Sequence, residues 1–438
     1  MRKRTSAFLL VLVAVGFLLS YPVHMAHASK ASHTHKDSDK SGNTESVVTL
    51  SELVDLLRSR NPAIQGARLS AEAKRTRILP ERTLPDPTVS FQTMGDFIPP
   101  TLQEGDPSSG RTFSVEQEIP FPGKLGLKGA MATSEAEAEE SNFDQTQREA
   151  VADLKAAYYD LFLVHKSLEI LEKNKRLLQS FAQVSESKYR VGEGNQQDLL
   201  KAQVEISKIL DRVTVLEQRR TVGEARINAL LYRQAGEPLG KPEEVRKSEL
   251  PYGLEQLEDL AQQNFSKLRA QEKTVERNQY AVQLAKKEYY PDFALGLSYV
   301  DRDDMREMYG FMAKAKVPLY FWRKQQPALE GAKLELTSAQ KQRDSIRSTL
   351  SYSVRDAYMT ATTSDKLIEL YTTAVVPQAR LSLEAALASY QVGRVDFLTV
   401  VDSTLTLLEY ELKQYEALTD YQKALAQLEP LVGVELTR

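Results

Sequence analysis

Cysteine is absent from the 438 residues and histidine occurs five times. Without thiols the chain has no thiolate nucleophile, no disulfide, no Cys-ligated zinc or iron–sulfur centre, and no N-terminal cysteine to acylate. His33 and His35, one residue apart, could each touch a metal, but a fixed site needs more ligands of set geometry, and their surroundings read as solvated tail. His165, inside a long helical stretch, reads as a spacer or core residue rather than a base. No Gly-x-Ser-x-Gly, phosphate-binding loop or His-Glu-x-x-His occurs, so neither an enzymatic reaction nor a cofactor is expected. A formal net charge of -3 gives no reason for a nucleic-acid partner.

What stands out instead is a pair of turns. Tyr189-Arg190-Val191-Gly192 recurs as Tyr390-Gln391-Val392-Gly393. Ala157-Tyr158 recurs as Ala357-Tyr358, Pro85-Asp86 as Pro291-Asp292, and Ile119-Pro120 as Val317-Pro318. Matches in the same order at offsets near 200 predict a duplicated chain. The copies span 49–234 and 253–433, separated by a Gly- and Pro-punctuated linker at 235–252. Each copy reads as helix, strand, strand, long helix, Val-Gly turn, long helix.

The elements that hold these turns are long. Residues 130–189 contain neither glycine nor proline and are rich in Ala, Glu, Gln, Leu and Lys, which predicts a helix on the order of 90 Å. Past the first turn, at 190–197, Leu199, Ala202, Ile206, Ile209, Val213 and Leu216 step by three and four. Past the second, at 391–397, Leu398, Val401, Leu405, Leu408, Leu412 and Tyr415 do the same. This is a coiled-coil seam, so each copy predicts an antiparallel helical hairpin.

Four segments change to period two: 87–95, 111–119, 293–301 and 309–317. Each is about the length of a membrane-crossing strand. Four strands cannot close a membrane barrel, and open edges are not tolerated in lipid. Strands in a bilayer would therefore require oligomerisation, with eight strands from two chains or twelve from three. The competing arrangement is a soluble helical scaffold capped by a β-layer, in which Phe293, Leu295, Leu297, Tyr309 and Phe311 would be covered by protein.

The N-terminus predicts export. Arg2, Lys3 and Arg4 precede an apolar run from Phe8 to Leu19, and Ala26-His27-Ala28 has the small-x-small pattern of a cleavage site. Residues 1–28 read as a signal peptide and 29–48 as a disordered polar tail.

The order of elements resembles the TolC-like outer membrane efflux proteins. Its most specific pieces are Gln117 to Lys124, Tyr189 to Leu200, Tyr289 to Phe293 and Tyr390 to Leu408. Pro120 to Lys124 and Val395 to Asp402 look most like the heavy-metal efflux (CusC/CzcC-like) branch. The resemblance implies a mainly α chain with a small β part. It implies a homotrimer with a twelve-stranded β-barrel in the outer membrane and an α-helical tunnel in the periplasm. It implies a periplasmic adaptor and an inner-membrane pump of the resistance-nodulation-division type as partners, with heavy-metal cations as cargo; drug export or type I secretion stays open beside it. It also places an aperture at the helical tips. There Asp402 matches a ring aspartate, Thr399 stands at the other ring position, Tyr390 matches a latch tyrosine, and Arg394 lies one residue from the latch arginine. Val191, Gly192, Val392 and Gly393 would be the adaptor-docking tips.

Overall fold

The computed structural model describes residues 47–95, 102, 106, 108–192, 194–302 and 305–437, all within one compact unit. The segment read as a signal peptide, the polar stretch with His33 and His35, and most of the loop after residue 95 lie outside the described residues.

The first copy opens with α1 (Leu50–Arg60), α2 (Pro62–Thr76) and α3 (Ile78–Arg82). Thr49 starts α1 with a reciprocal cap: its hydroxyl accepts from the Glu52 amide, and the Glu52 carboxylate accepts from the Thr49 amide. Asn61 starts α2 by accepting from the Ala63 and Ile64 amides, with Pro62 at the first helical position. Strands β2 (Thr88–Met94) and β3 (Gly110–Ile119) follow, then α4 (Lys124–Arg190) and α5 (Gln196–Leu230). The second copy repeats the order with α6 (Leu254–Asn264), α7 (Ser266–Lys287), β5 (Asp292–Asp301), β6 (Met308–Lys316), α8 (Gln325–Leu370), α9 (Val376–Gln391) and α10 (Phe397–Val432).

Helix α4 has 67 residues, about 100 Å at the usual rise. It begins earlier than its glycine-free stretch and takes in Gly126 and Gly129. At Gly129 an added Cβ would run into the Arg82 side chain of α3, so any larger residue there would have to push that arginine aside. The outgoing helix of the second copy is not continuous. A π-helical turn at Tyr371–Val375 separates α8 from α9, and the Val376 amide bonds back five residues to the Tyr371 carbonyl. Pro377 is the cause: it has no amide to give the carbonyl of Thr373 and its ring crowds that carbonyl, so the register widens by one residue.

The expected seams are the core of the tips. Ala202 and Ile209 of α5 and Val401 and Leu408 of α10 are buried together with Leu171 and Leu178 of α4. A second seam, Val400 and Leu407 against Val376 and Leu383, joins α10 to α9.

One expectation needs correction. Val47–Val48, assigned to the polar tail, form strand β1, which pairs in parallel with β4 (Lys241–Pro242) inside the expected linker. The linker is strapped to the helices: the Glu243 amide donates to the Tyr158 hydroxyl, the Tyr421 hydroxyl to the Ser248 carbonyl, and Gln422 to the Arg246 carbonyl. Below the strap, Lys155 is 2 % exposed and donates to Glu429 and to the Thr437 hydroxyl and carbonyl. The Leu436 and Thr437 amides complete the shell of Glu429.

The larger sheet has the antiparallel order β2-β3-β5-β6. Its register sets Val89, Val115, Leu297 and Phe311 in one row and Phe91, Phe113, Tyr299 and Tyr309 in the next on the same face. The opposite face carries the row Ser90, Ser114, Ser298 and Gly310, and an ion pair between Glu116 and Lys314. Strands start and end within one residue of the period-two segments. The apolar face is bare: Leu297 is 66 % and Phe311 71 % exposed, and Phe293, Leu295 and Tyr309 are exposed as well. Leaving such side chains in water forgoes about 1.5–3 kcal/mol each. The sheet is open, with β2 and β6 as its edges.

Candidate functional site

Both hairpins turn by one device. The Gly192 amide donates to the Tyr189 carbonyl (3.0 Å) and the Gly393 amide to the Tyr390 carbonyl (3.1 Å). Both glycines have left-handed backbone, φ 81° and 72°, which costs glycine least. The residue before each, Val191 and Val392, leaves its aliphatic side chain exposed. The two tips thus present matching apolar knobs.

Past the second turn, Asp396 caps α10. Its Oδ1 accepts from the Thr399 amide at 3.0 Å and from the Thr399 hydroxyl at 2.5 Å. Thr399 therefore spends its hydroxyl on the cap. Asp402, one turn further on the same face, is exposed. Tyr390 is half-buried rather than open: its ring meets Phe397 edge-on with centroids 5.9 Å apart, and the Lys188 ammonium lies over it. Arg394 is exposed, and neither Tyr390 nor Asp402 bonds to its side chain among the described residues. The structure thus joins Tyr390 to Lys188 and Phe397, and leaves Arg394 and Asp402 separate.

Three charged groups at the tip went unread in the sequence. Lys188 belongs to the last turn of α4, and Asp198 and Asp396 to the start of each returning helix. Burial, and then the charge of Asp396, push the Asp198 carboxyl above the usual aspartate range, while Lys188 opposes them. The Thr399 hydroxyl and amide hold Asp396 below that range. Only Asp396 had a legible signal, an Asp three residues before a Thr at a helix start. Further along α10, the mostly buried Glu411 accepts from Lys173 of α4 and Arg380 of α9, each at 3.4 Å. It ties the two hairpins together, and its position as a charge among Leu407, Leu408 and Leu412 was the available clue.

Among the described residues no cluster of His, Asp and Glu could hold a metal ion, and no helix is long and apolar enough to cross a membrane. The arrangement offers carboxylates and apolar knobs at the far end of long helices, and a bare apolar sheet at the other.

The family described as Outer membrane efflux protein matches residues 53–231 and again residues 257–434, one match to each copy. No curated protein matches the chain. The fold is similar to solved channels. Against VceC from Vibrio cholerae the TM-score is 0.76 at 15% identity, covering 88% of this chain and 96% of that one. Against the outer-membrane channel OprN it is 0.75 at 18%, covering 88% and 89%. Against CusC it is 0.75 at 17%, covering 87% and 91%. With both copies matched along nearly their whole length, the chain belongs to the outer membrane efflux protein family.

Proposed function

We propose that this protein is the passive outer-membrane conduit of a tripartite efflux system. It sits in the outer membrane with its helical part in the periplasm. The observation that carries the reading is the open sheet with one bare apolar face. Edges cannot stay unpaired in lipid, and three chains supply twelve strands, enough for a closed barrel. The same three chains would bring their long hairpins together as a twelve-helix tunnel. Substrate would enter at the tips, after an inner-membrane pump and a periplasmic adaptor docked on Val191, Gly192, Val392 and Gly393 have delivered it.

Three copies of Asp402 would then surround the tunnel entrance, and a ring of carboxylates disfavours anions and attracts cations. Thr399 adds a capped hydroxyl to that ring rather than a second acidic layer. Tyr390 would hold the aperture through Lys188 and Phe397, with Arg394 left free to meet a neighbouring subunit. Heavy-metal cations are the proposed cargo, on the likeness of Pro120 to Lys124 and Val395 to Asp402 to the heavy-metal branch.

Fractionation of the expressing bacterium, followed by the mass of the detergent-solubilised particle, tests the assembly. A particle of three subunits supports it; a monomer recovered without detergent overturns it. Deletion followed by growth on metal salts and on drugs tests the cargo. Sensitivity to drugs alone would overturn the metal reading and leave the conduit in place.

A further inference from the structure

The two strand-to-helix connectors of the duplicated fold differ. The first runs from Pro120 into α4 and is fastened inside the chain. Phe121 stacks on Tyr290 with centroids 4.6 Å apart, and its amide donates to Asp292 at 2.7 Å. Lys124, at the start of α4, is buried and paired with Asp292 and Glu288. Its aromatic ring and its cation are both engaged internally.

The second connector leaves β6 and is longer: residues 317–324 separate β6 from α8, against residues 120–123 between β3 and α4. Its side chains lie largely outside; among the described residues Phe321 alone touches an internal ring, Tyr289, at 6.3 Å between centroids. Leu319, Tyr320, Phe321 and Trp322 are all exposed, Tyr320 to 71 %. Trp322 packs edge-on against Phe321 at 5.2 Å and Tyr320 at 6.1 Å, so the aromatics form one exposed patch. Arg323 and Lys324 follow, both exposed, and neither enters an ion pair among the described residues. The patch also continues the bare face of the sheet: Tyr309, Phe311, Ala313 and Ala315 alternate along it, and the exposed Val317 extends it beyond the strand.

An apolar band ending in Trp, Tyr and unpaired cations is suited to the boundary between hydrocarbon and water. The rings bury their bodies and keep their polar tips wet, and the cations meet lipid phosphates. Because this connector leads into the helical, periplasmic part, the boundary it faces is the periplasmic one. We propose that the second connector, and not the first, anchors the protein in the phospholipid headgroup layer on the periplasmic side, and selects anionic headgroups through Arg323 and Lys324. This rests on the outer-membrane reading of the family.

Trp322 is the sole tryptophan of the chain, so the intrinsic fluorescence of the unaltered protein reports on this connector. The full-length protein, purified from outer membranes, is reconstituted in phosphatidylcholine vesicles brominated near the headgroup or deep in the acyl chain, with or without phosphatidylglycerol. The expected result is stronger quenching by the shallow bromine than by the deep one, and weak quenching by aqueous iodide. Native mass spectrometry is expected to show several-fold preferential binding of phosphatidylglycerol, lost in the R323Q/K324Q double variant while its subunit number stays unchanged. Protection from both bromine and iodide would overturn the proposal in favour of a second copy covering the patch. Free access of iodide would overturn it in favour of water. A phosphatidylglycerol preference unchanged in the double variant would overturn the charge selection. Absence of the protein from the outer-membrane fraction would overturn the reading beneath it instead.

Discussion

The Lys188 ammonium lies 4.1 Å from the centroid of the Tyr390 ring, which fastens the last turn of α4 in the first repeat to the last turn of α9 in the second. An exposed contact of this kind is worth about 0.5–1 kcal/mol. If the aperture opens by parting the hairpins, Tyr390→Ala and Lys188→Ala should each raise the open population about two- to five-fold, whereas Tyr390→Phe keeps the ring and should not. Conductance of the protein in planar bilayers reads this. Equal conductance in the Ala and Phe variants would rule out the ring as a fastening.

Asp402 is exposed and bonded to nothing among the described residues. Its substitution should therefore move stability by no more than about 0.5 kcal/mol while changing the charge that ions meet. Asp402→Asn should lower cation selectivity, and Asp402→Lys should turn it towards anions. The reversal potential in a salt gradient is the measurement. A reversal potential identical in all three proteins would remove Asp402 from the ion path.

How much of this was legible differs by element. The seam at Ala202, Ile209, Val401 and Leu408 was readable because helical period and burial coincide there. The strands were readable because period two puts Phe311 and Leu297 on one face and Gly310 and Ser298 on the other. The π-helical turn was not, since a proline such as Pro377 announces a disturbed helix but not the form it takes. Nor was the strap, whose anchors Tyr158 and Tyr421 lie far away in sequence. At the tips, Val-Gly repetition marked the turns, but Lys188 looks like any solvated helix residue until tertiary structure brings Tyr390 beneath it. The nearness of Asp198 to Asp396 likewise exists only after the two hairpins pack.

The Lys155–Glu429 pair, with N–O distances of 2.9 and 2.7 Å, ties α4 of the first repeat to α10 of the second. Removing one partner leaves the other buried and uncompensated, at a cost of about 3–5 kcal/mol. Lys155→Met and Glu429→Leu should each be strongly destabilised, and the double variant should recover part of the loss because no lone charge remains. Denaturant unfolding in detergent, followed by circular dichroism, gives the comparison. A double variant as unstable as the two singles added together would show that the pair is not coupled.

Asp198 and Asp396 should make the tips respond to acid. Asp198, its carboxyl raised mainly by burial and then by Asp396, binds its proton more tightly in the folded tips than in the unfolded chain. Between the ordinary aspartate value of about 3.9 and the raised one, its contribution to stability therefore falls as pH rises, and above that window its charge is a standing cost. Asp396, lowered by the Thr399 hydroxyl and then the Thr399 amide, behaves oppositely: its contribution is present above the ordinary value and lost as pH falls through its depressed one. Acidification from neutrality should thus first tighten the tips, as Asp198 is neutralised while Asp396 still caps α10, and loosen them only at lower pH. Hydrogen exchange at the Val191, Gly192 and Gly393 amides, corrected for intrinsic rates, should show protection rising and then falling. Asp198→Asn should be more protected at neutral pH and lack the rise; a variant that rises as the parent does would place the acid response elsewhere.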